Sequence, residues 1–126
     1  MNQDTKKVLV VEDDVDLLNV LTDRLGVSNY EVMTAKDGEQ AVSLILDKKP
    51  DLILLDLLLP KLDGFQVLER IRRYPDNKIS DIKVIVLSNL WSDKDILRAQ
   101  ALKIDEYYVK ANTNLDEVFS KIAKII

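Results

Sequence analysis

Short apolar runs alternate with amphipathic segments roughly every 25 residues along this 126-residue chain, and no other feature constrains the fold as strongly. Residues 8–11, 52–55 and 84–87 are each an unbroken run of apolar side chains. Such runs are typical of parallel strands that are covered on both faces. Strands that alternate with helices predict a parallel sheet with helices on both sides. We therefore expect a doubly wound α/β fold with five strands, in a single domain over 1–126.

The element boundaries follow from periodicity and from capping residues. Strands are predicted at 8–11, 31–35, 52–55, 84–87 and 106–109. Helices are predicted at 15–25, from Asp37-Gly38 to a stop at Pro50, at 65–73, at 92–102 and from 113 to 126. Gly26 is the expected C-cap of the first helix. Ser92 with Asp95, and Thr113 with Asp116, resemble capping boxes with aspartate in place of glutamate.

The composition excludes several classes of chemistry. The chain has no cysteine and no histidine, which excludes disulfides, thiolate nucleophiles, Cys/His zinc sites and imidazole catalysis. Its net charge is -4, which argues against broad phosphate neutralisation on nucleic acid. No apolar run approaches the ~20 residues of a membrane helix, and the first seven residues do not form a signal peptide. We expect a cytoplasmic protein with no membrane contact.

Polar side chains stand where the predicted strands end. Glu12 and Asp13 follow the first strand, Asp56 follows the third, Ser88 ends the fourth and Lys110 follows the fifth. Right-handed crossovers place the carboxyl ends of parallel strands at the same rim of the sheet, which is where such folds bind ligands. A charged residue after a strand is often only a helix cap, and Asp14 fits that interpretation.

Asp56 is the residue least compatible with a purely structural role. It lies between the apolar segments 52–55 and 57–59, where an uncompensated carboxylate is costly. Several carboxylates at one rim must take up protons or hold a cation, and oxygen ligands favour Mg²⁺. With the ion bound, Asp56 is a candidate nucleophile towards phosphorus, with Lys110 and Ser88 binding the phosphoryl oxygens. The expected product is an acyl phosphate at Asp56.

Four segments carry a family resemblance. They are V-L-V-V-E-D-D at 8–14, D-L-I-L-L-D-L-L-L-P-K-L-D-G at 51–64, V-I-V-L-S-N at 84–89 and Y-Y-V-K at 107–110. In this order and spacing the chain resembles the receiver domains of two-component response regulators, the CheY-like family. The resemblance implies a flavodoxin-like (βα)5 fold with strand order 2-1-3-4-5.

The resemblance also implies a role for each site residue. Asp56 corresponds to the phosphoacceptor. The Mg²⁺ site, which also suits Mn²⁺, corresponds to Asp13 and Asp56 as direct ligands, Glu12 through water and the Leu58 carbonyl oxygen. Ser88 and Lys110 correspond to the residues that bind the phosphoryl group, and Tyr107 to the aromatic switch. Asn89, Leu58 and Leu90 flank the site, and Pro60, Asp63 and Gly64 form the turn after the acceptor strand.

The implied function is a phosphorylation-dependent signalling switch. A histidine kinase or histidine phosphotransfer protein would donate the phosphoryl group, and the 89–110 surface would signal to an unidentified protein partner. We expect no direct contact with nucleic acid. The chain would not be an enzyme with a separate substrate, although it would catalyse its own phosphorylation and dephosphorylation. Two alternatives are a receiver-like interaction module without phosphotransfer and an aspartate-nucleophile phosphohydrolase, whose usual second aspartate is replaced here by Leu58.

The chain departs from the family pattern at three places. Ala111 replaces the usual proline, and a cis bond before alanine costs about 3–4 kcal/mol, so we expect a trans bond and a rearranged loop. Asn89 replaces a small residue and narrows access to the site. The glycine that usually precedes the fifth strand is missing from 102–108. In addition, Leu58 and Leu90 cannot orient an attacking water, which predicts slow self-dephosphorylation.

Overall fold

A computed structural model describes residues 5–126 and shows a five-stranded parallel sheet in the order β2-β1-β3-β4-β5. The predicted doubly wound α/β fold and its strand order are confirmed. The strands are β1 Lys7–Val11, β2 Glu31–Ala35, β3 Leu52–Leu55, β4 Lys83–Ser88 and β5 Glu106–Val109. The helices are α1 Val15–Val27, α2 Gly38–Lys48, α3 Gly64–Arg72, α4 Asn77–Ser80, α5 Asp93–Ala101 and α6 Leu115–Ile125, with a 3₁₀ turn at Lys110–Asn112.

The core has two layers because successive side chains of each strand point to opposite faces of the sheet. Leu9 and Ile53 pack with α2, α3 and α5, whereas Val8 and Leu52 pack with α1 and α6. All four side chains are fully buried. The unbroken apolar runs therefore reflect a sheet that is covered on both faces.

The carboxyl ends of β1 and β3 extend the sheet by one residue each into the rim. The Glu12 N–H donates to the Ala35 carbonyl at 3.0 Å, and the Asp56 N–H donates to the Val11 carbonyl at 3.0 Å. These main-chain bonds fix where the two acidic side chains begin. The rim is thus formed by sheet geometry and not by a flexible loop.

Two predicted helix boundaries are wrong. Thr113 does not cap α6: Asn114 accepts the Asp116 N–H at 2.9 Å, while the Thr113 hydroxyl donates to the Val109 carbonyl at 2.6 Å. Gly26 is not a C-cap, because α1 continues through it and the left-handed residue beyond the helix is Asn29, with φ 68°. Asparagine tolerates this conformation better than most side chains. The predicted caps at Asp14, Asp37 and Ser92 are confirmed.

Arg72, the last residue of α3, is anchored to the backbone and is not a solvated side chain. Its half-buried guanidinium donates to four carbonyls, those of Leu102 at 2.8 Å, Ser80 at 2.9 Å, Ile82 at 2.7 Å and Lys103 at 3.0 Å. Burial lowers the pKa of Arg72. The side chain joins the end of α3 to the turns before β4 and β5, and the short helix α4 in this region was not predicted.

The segment around β5 accommodates both of its departures from the family. No peptide bond among residues 5–126 is cis, so the expected trans bond before Ala111 is confirmed, and the 3₁₀ turn follows β5 directly. Before β5, Lys103 has φ 63°, a left-handed conformation that favours glycine.

No helix within the described residues is long and apolar enough to span a membrane.

Candidate functional site

An acidic cluster forms where β1 and β3 end. Glu12, Asp13 and Asp56 each offer a carboxylate oxygen, and these atoms lie within 4.8 Å of one another. Glu12 and Asp56 are 2% and 4% exposed, whereas Asp13 is exposed to solvent. Two buried carboxylates at this separation repel each other unless a cation compensates them. The three predicted acidic residues are therefore brought together as expected.

Lys110 supplies part of that compensation. Its Nζ lies 2.7 Å from Glu12 Oε1 and 2.9 Å from Asp56 Oδ2. Burial raises the pKa of Glu12, an effect that the Lys110 hydrogen bond opposes and the Asp56 charge increases. Burial acts to lower the pKa of Lys110, but its hydrogen bonds to the two carboxylates outweigh this and raise the pKa. The 3₁₀ turn that replaces the proline loop thus leaves Lys110 in reach of the acids.

The donor set fits a hard divalent cation. Every side-chain donor is a carboxylate oxygen, and one exposed and two buried carboxylates leave room for the waters that Mg²⁺ retains. Asp14 is not part of this set, because its side chain accepts the N–H groups of Asp16 and Leu17 at the start of α1. The Leu58 N–H donates to Asp56 Oδ1 at 3.1 Å, which orients the Asp56 carboxylate.

Ser88 and Tyr107 meet at the backbone of Leu90. The Leu90 N–H donates to the fully buried Ser88 hydroxyl at 3.4 Å, and the Tyr107 hydroxyl donates to the Leu90 carbonyl at 2.7 Å. Burial, with the charges of Asp95 and Asp56, raises the pKa of Tyr107 to about 12. The phenol therefore stays protonated at neutral pH. One residue connects the two predicted switch side chains.

Two glycines hold the turn after β3 against the site. A Cβ atom at Gly64 would lie 2.5 Å from the Asp56 carbonyl oxygen and 2.6 Å from the Leu57 Cα. A Cβ at Gly38 would overlap the Leu62 carbonyl, and the Gly38 N–H donates to the Pro60 carbonyl at 3.3 Å. Sequence reasoning identified Gly64 through the resemblance and Gly38 only as a helix start. The Asp-Gly pair at 37–38 was the sequence feature that could have indicated the close approach of Gly38 to this turn.

The side chains around the site differ in exposure. Leu58 is 50% exposed and Trp91 is 75% exposed, so an aromatic side chain lies open to solvent in the loop after β4. Asn89 is exposed and Leu90 is partly buried. The rim therefore combines a buried acidic centre with apolar side chains at its edge.

Comparison with known proteins identifies the family of this chain. The sequence model described as the response regulator receiver domain matches residues 8–123. The chain belongs to this family. As a receiver domain it is a module of phosphorylation-dependent two-component signalling.

Individual relatives show how far the similarity extends. The receiver domain is 39% identical over 110 residues to the protein named "Probable transcriptional regulator ycf27" of Cyanophora paradoxa, covering 87% of this chain and 44% of that protein. It is 33% identical to the phosphorylated cyanobacterial phytochrome response regulator RcpA, with a TM-score of 0.81 over 96% of this chain and 91% of that one. The Mn²⁺-bound form of the response regulator Rcp1 is 31% identical, with a TM-score of 0.80 over 95% and 91%.

The curated relatives are longer proteins. The receiver domain spans less than half the length of those it matches, from 28% to 48%. Receiver domains bind a divalent metal ion, and the acidic cluster of Glu12, Asp13 and Asp56 could hold one.

Proposed function

We propose that Asp56 accepts a phosphoryl group from a phosphohistidine of a histidine kinase or histidine phosphotransfer protein, with Mg²⁺ as the cofactor. The observation that supports this is the buried Asp56 carboxylate beside two further carboxylates and the Lys110 ammonium. Asp13, Asp56, the Leu58 carbonyl oxygen and, through water, Glu12 would hold the ion. Mn²⁺ is the alternative ion, since a similar response regulator was solved with it.

The transfer balances without a further reactant. An Asp56 carboxylate oxygen forms a bond to phosphorus while the bond between phosphorus and the donor imidazole nitrogen breaks, and that nitrogen keeps the electron pair. The other ring nitrogen of the donor phosphohistidine is protonated in the reacting form, so the products are an acyl phosphate on Asp56 and a neutral imidazole on the donor. The divalent ion, when bound, neutralises charge on the phosphoryl oxygens.

Lys110 is suited to bind the transferred group. Its ammonium has three N–H donors, and contacts to Glu12 and Asp56 use two of them. A third donor is left for a phosphoryl oxygen. Ser88, buried at the end of β4, supplies a hydroxyl from the neighbouring strand. Both residues would bind the phosphoryl group on Asp56 and would not be phosphorylated themselves.

The backbone of Leu90 provides a route for the signal. A Ser88 hydroxyl that turns towards a phosphoryl oxygen gives up the Leu90 N–H, and Tyr107 holds the carbonyl of the same residue. A change at Asp56 therefore reaches the 89–110 surface, where α5 and the exposed Trp91 lie. We propose that this surface contacts the downstream protein and that the receiver domain itself does not contact nucleic acid. The phosphohydrolase alternative is disfavoured, because an apolar Leu58 supplies no general acid.

Phosphorylation by acetyl phosphate tests the central proposal. The protein is incubated with acetyl phosphate and MgCl₂ and its intact mass is measured. We expect one phosphoryl adduct that requires the metal and that disappears in Asp56→Asn. Asp47→Asn is the matched control, because that carboxylate is 72% exposed on α2 and pairs only weakly with Lys48. It should retain the adduct.

Two results would contradict the proposal. An adduct that persists in Asp56→Asn places the acceptor elsewhere. No adduct on the wild-type protein, from acetyl phosphate or from a phosphohistidine donor, favours the interaction module without phosphotransfer.

A further inference from the structure

A second concave site lies between α2 and α3. Its volume is about 390 Å³, within the range of small-ligand pockets. Buried Ile71 and the partly buried Val42 and Leu46, which pack against the core, contribute apolar surface. The cleft is lined by Val42, Leu46, Arg70, Ile71, Arg73 and Tyr74.

Two arginines, Arg70 and Arg73, line this α2–α3 cleft. Arg70 and Arg73 are exposed, and over residues 5–126 neither guanidinium has a hydrogen bond or ion pair. The nearby carboxylate of Glu69 is already paired with Arg98 at 3.1 Å. Arg72, between them in the sequence, donates its N–H groups to main-chain carbonyls. The cleft therefore combines an apolar interior with two uncompensated positive charges.

The shape of the apolar surface favours a small ligand over a protein. Among the large apolar side chains that the structure shows as exposed, Tyr74 is the one that lines this cleft; the others are Val15, Val20, Val27, Leu58, Trp91 and Leu97. The cleft thus has one large exposed apolar side chain, whereas a stable protein interface buries about 800 Å² of total surface on each partner.

We propose that the α2–α3 cleft binds a small amphipathic carboxylate, with its apolar part between Val42 and Ile71 and its carboxylate on Arg70 and Arg73. Paired guanidinium groups suit a carboxylate because each presents a planar fork of N–H donors. Arg70 and Arg73 are three residues apart, which places them on one side of the chain at the end of α3.

The α2–α3 cleft is separate from the acceptor site. Gly64 at the start of α3 contacts the Asp56 backbone, whereas Arg70 and Tyr74 lie at the far end of that helix. Six residues of helix correspond to about 9 Å along its axis. A ligand in the cleft therefore leaves Asp56 accessible, and binding does not depend on the phosphorylation chemistry.

The test uses two probes that share a phenyl group on a four-carbon chain and differ in the terminal group, the anionic 4-phenylbutyrate and the neutral 4-phenylbutanol. Each is titrated into ¹⁵N-labelled protein while the amide signals of Val42, Ile71 and Tyr74 are followed. We expect saturable shifts with 4-phenylbutyrate at a Kd on the order of 1 mM, and about fivefold weaker binding of the alcohol. Asp56→Asn should bind 4-phenylbutyrate as the wild type does, which separates this result from the phosphorylation test.

Variants assign the charge effect to the arginines. The double variant Arg70→Gln/Arg73→Gln should bind 4-phenylbutyrate no more tightly than the alcohol. Lys48→Gln removes another exposed cation, on neighbouring α2, and should leave binding unchanged. Absence of saturable shifts, equal affinity for the two probes, or full affinity in the double variant would overturn the proposal. So would an acidic peptide that shifts these signals when 4-phenylbutyrate does not, since the occupant would then be a protein segment.

Discussion

Replacing Lys110 by methionine leaves two buried carboxylates without their cation. The ammonium contacts Glu12 at 2.7 Å and Asp56 at 2.9 Å, and its side chain is 17% exposed. Removal of one partner from a buried ion pair typically costs about 3–5 kcal/mol. Partial exposure of Lys110 favours the lower figure, so we expect Lys110→Met to lose about 3 kcal/mol of unfolding free energy at pH 8 without metal.

The loss should depend on pH with a definite sign. Burial already raises the pKa of Glu12, and loss of Lys110 raises it further. An acid whose folded-state pKa is raised is most favourable to folding below its unfolded pKa, and that stability is lost as pH rises through the folded pKa. The Lys110→Met defect should therefore be smaller at pH 5 than at pH 8, because proton uptake by Glu12 as pH falls removes one of the two uncompensated charges.

Urea unfolding at pH 5 and pH 8, with and without MgCl₂, measures these effects. Mg²⁺ at a hundredfold excess over its Kd for Lys110→Met should stabilise that variant by about 2.7 kcal/mol. The same concentration should stabilise the wild type less, because Lys110 competes with the ion for the two carboxylates. Lys61→Met is the control, because that lysine is 59% exposed and lies 3.7 Å from Asp37. It should change stability by less than about 0.5 kcal/mol. Equal defects at the two pH values, or a Lys110→Met protein as stable as the control, would refute the reasoning.

Three further predictions concern neighbouring features. Leu58→Asn or Leu90→Gln should speed decay of the phosphorylated form, measured by mass after removal of the donor, because a polar side chain can orient water; unchanged decay in both variants contradicts the slow-hydrolysis hypothesis. Gly64→Ala should lower the unfolding free energy by about 2 kcal/mol in urea titration, since its Cβ would meet backbone at 2.5 Å. Gly26→Ala, with nothing within 4 Å of its Cβ, is the control and should stabilise the protein by about 0.5–1 kcal/mol. Equal changes in unfolding free energy for the two variants would contradict the steric explanation for Gly64. Arg72→Met should cost about 3 kcal/mol, measured the same way, because four carbonyls lose their donor; a loss below 0.5 kcal/mol would show that water replaces it.

Local patterns predicted all five strands and every helix of the described residues except α4. Unbroken apolar runs indicated β1, β3 and β4, and the predicted bounds of β2, β3 and β5 agree with the structure. The position of Asp56 between apolar segments made it the candidate acceptor before any fold was known, because a buried lone carboxylate is costly. The structure shows that Asp56 is buried. Strand order came from the resemblance alone, since periodicity does not specify which strands pair.

Errors arose where a short-range pattern had two solutions. Thr113 and Asn114 are both good N-caps, and the structure uses Asn114 because the Thr113 hydroxyl bonds to Val109. Gly26 fits a C-cap by type, yet α1 continues to Val27. Such choices depend on how neighbouring elements pack, which adjacent residues do not encode.

The sequence by itself determined the alternation of strands and helices, the acidic character of the rim and the exclusion of cysteine and histidine chemistry. Only the tertiary structure decided that Lys110 contacts both Glu12 and Asp56. It also decided that Arg72 connects the end of α3 to the turns before β4 and β5. The apolar cleft beside Arg70 and Arg73 likewise exists only in the folded chain. The physical reason is range. Periodicity and capping act within a few residues, whereas these contacts join residues far apart in the chain, whose separation is set by helix packing on the sheet.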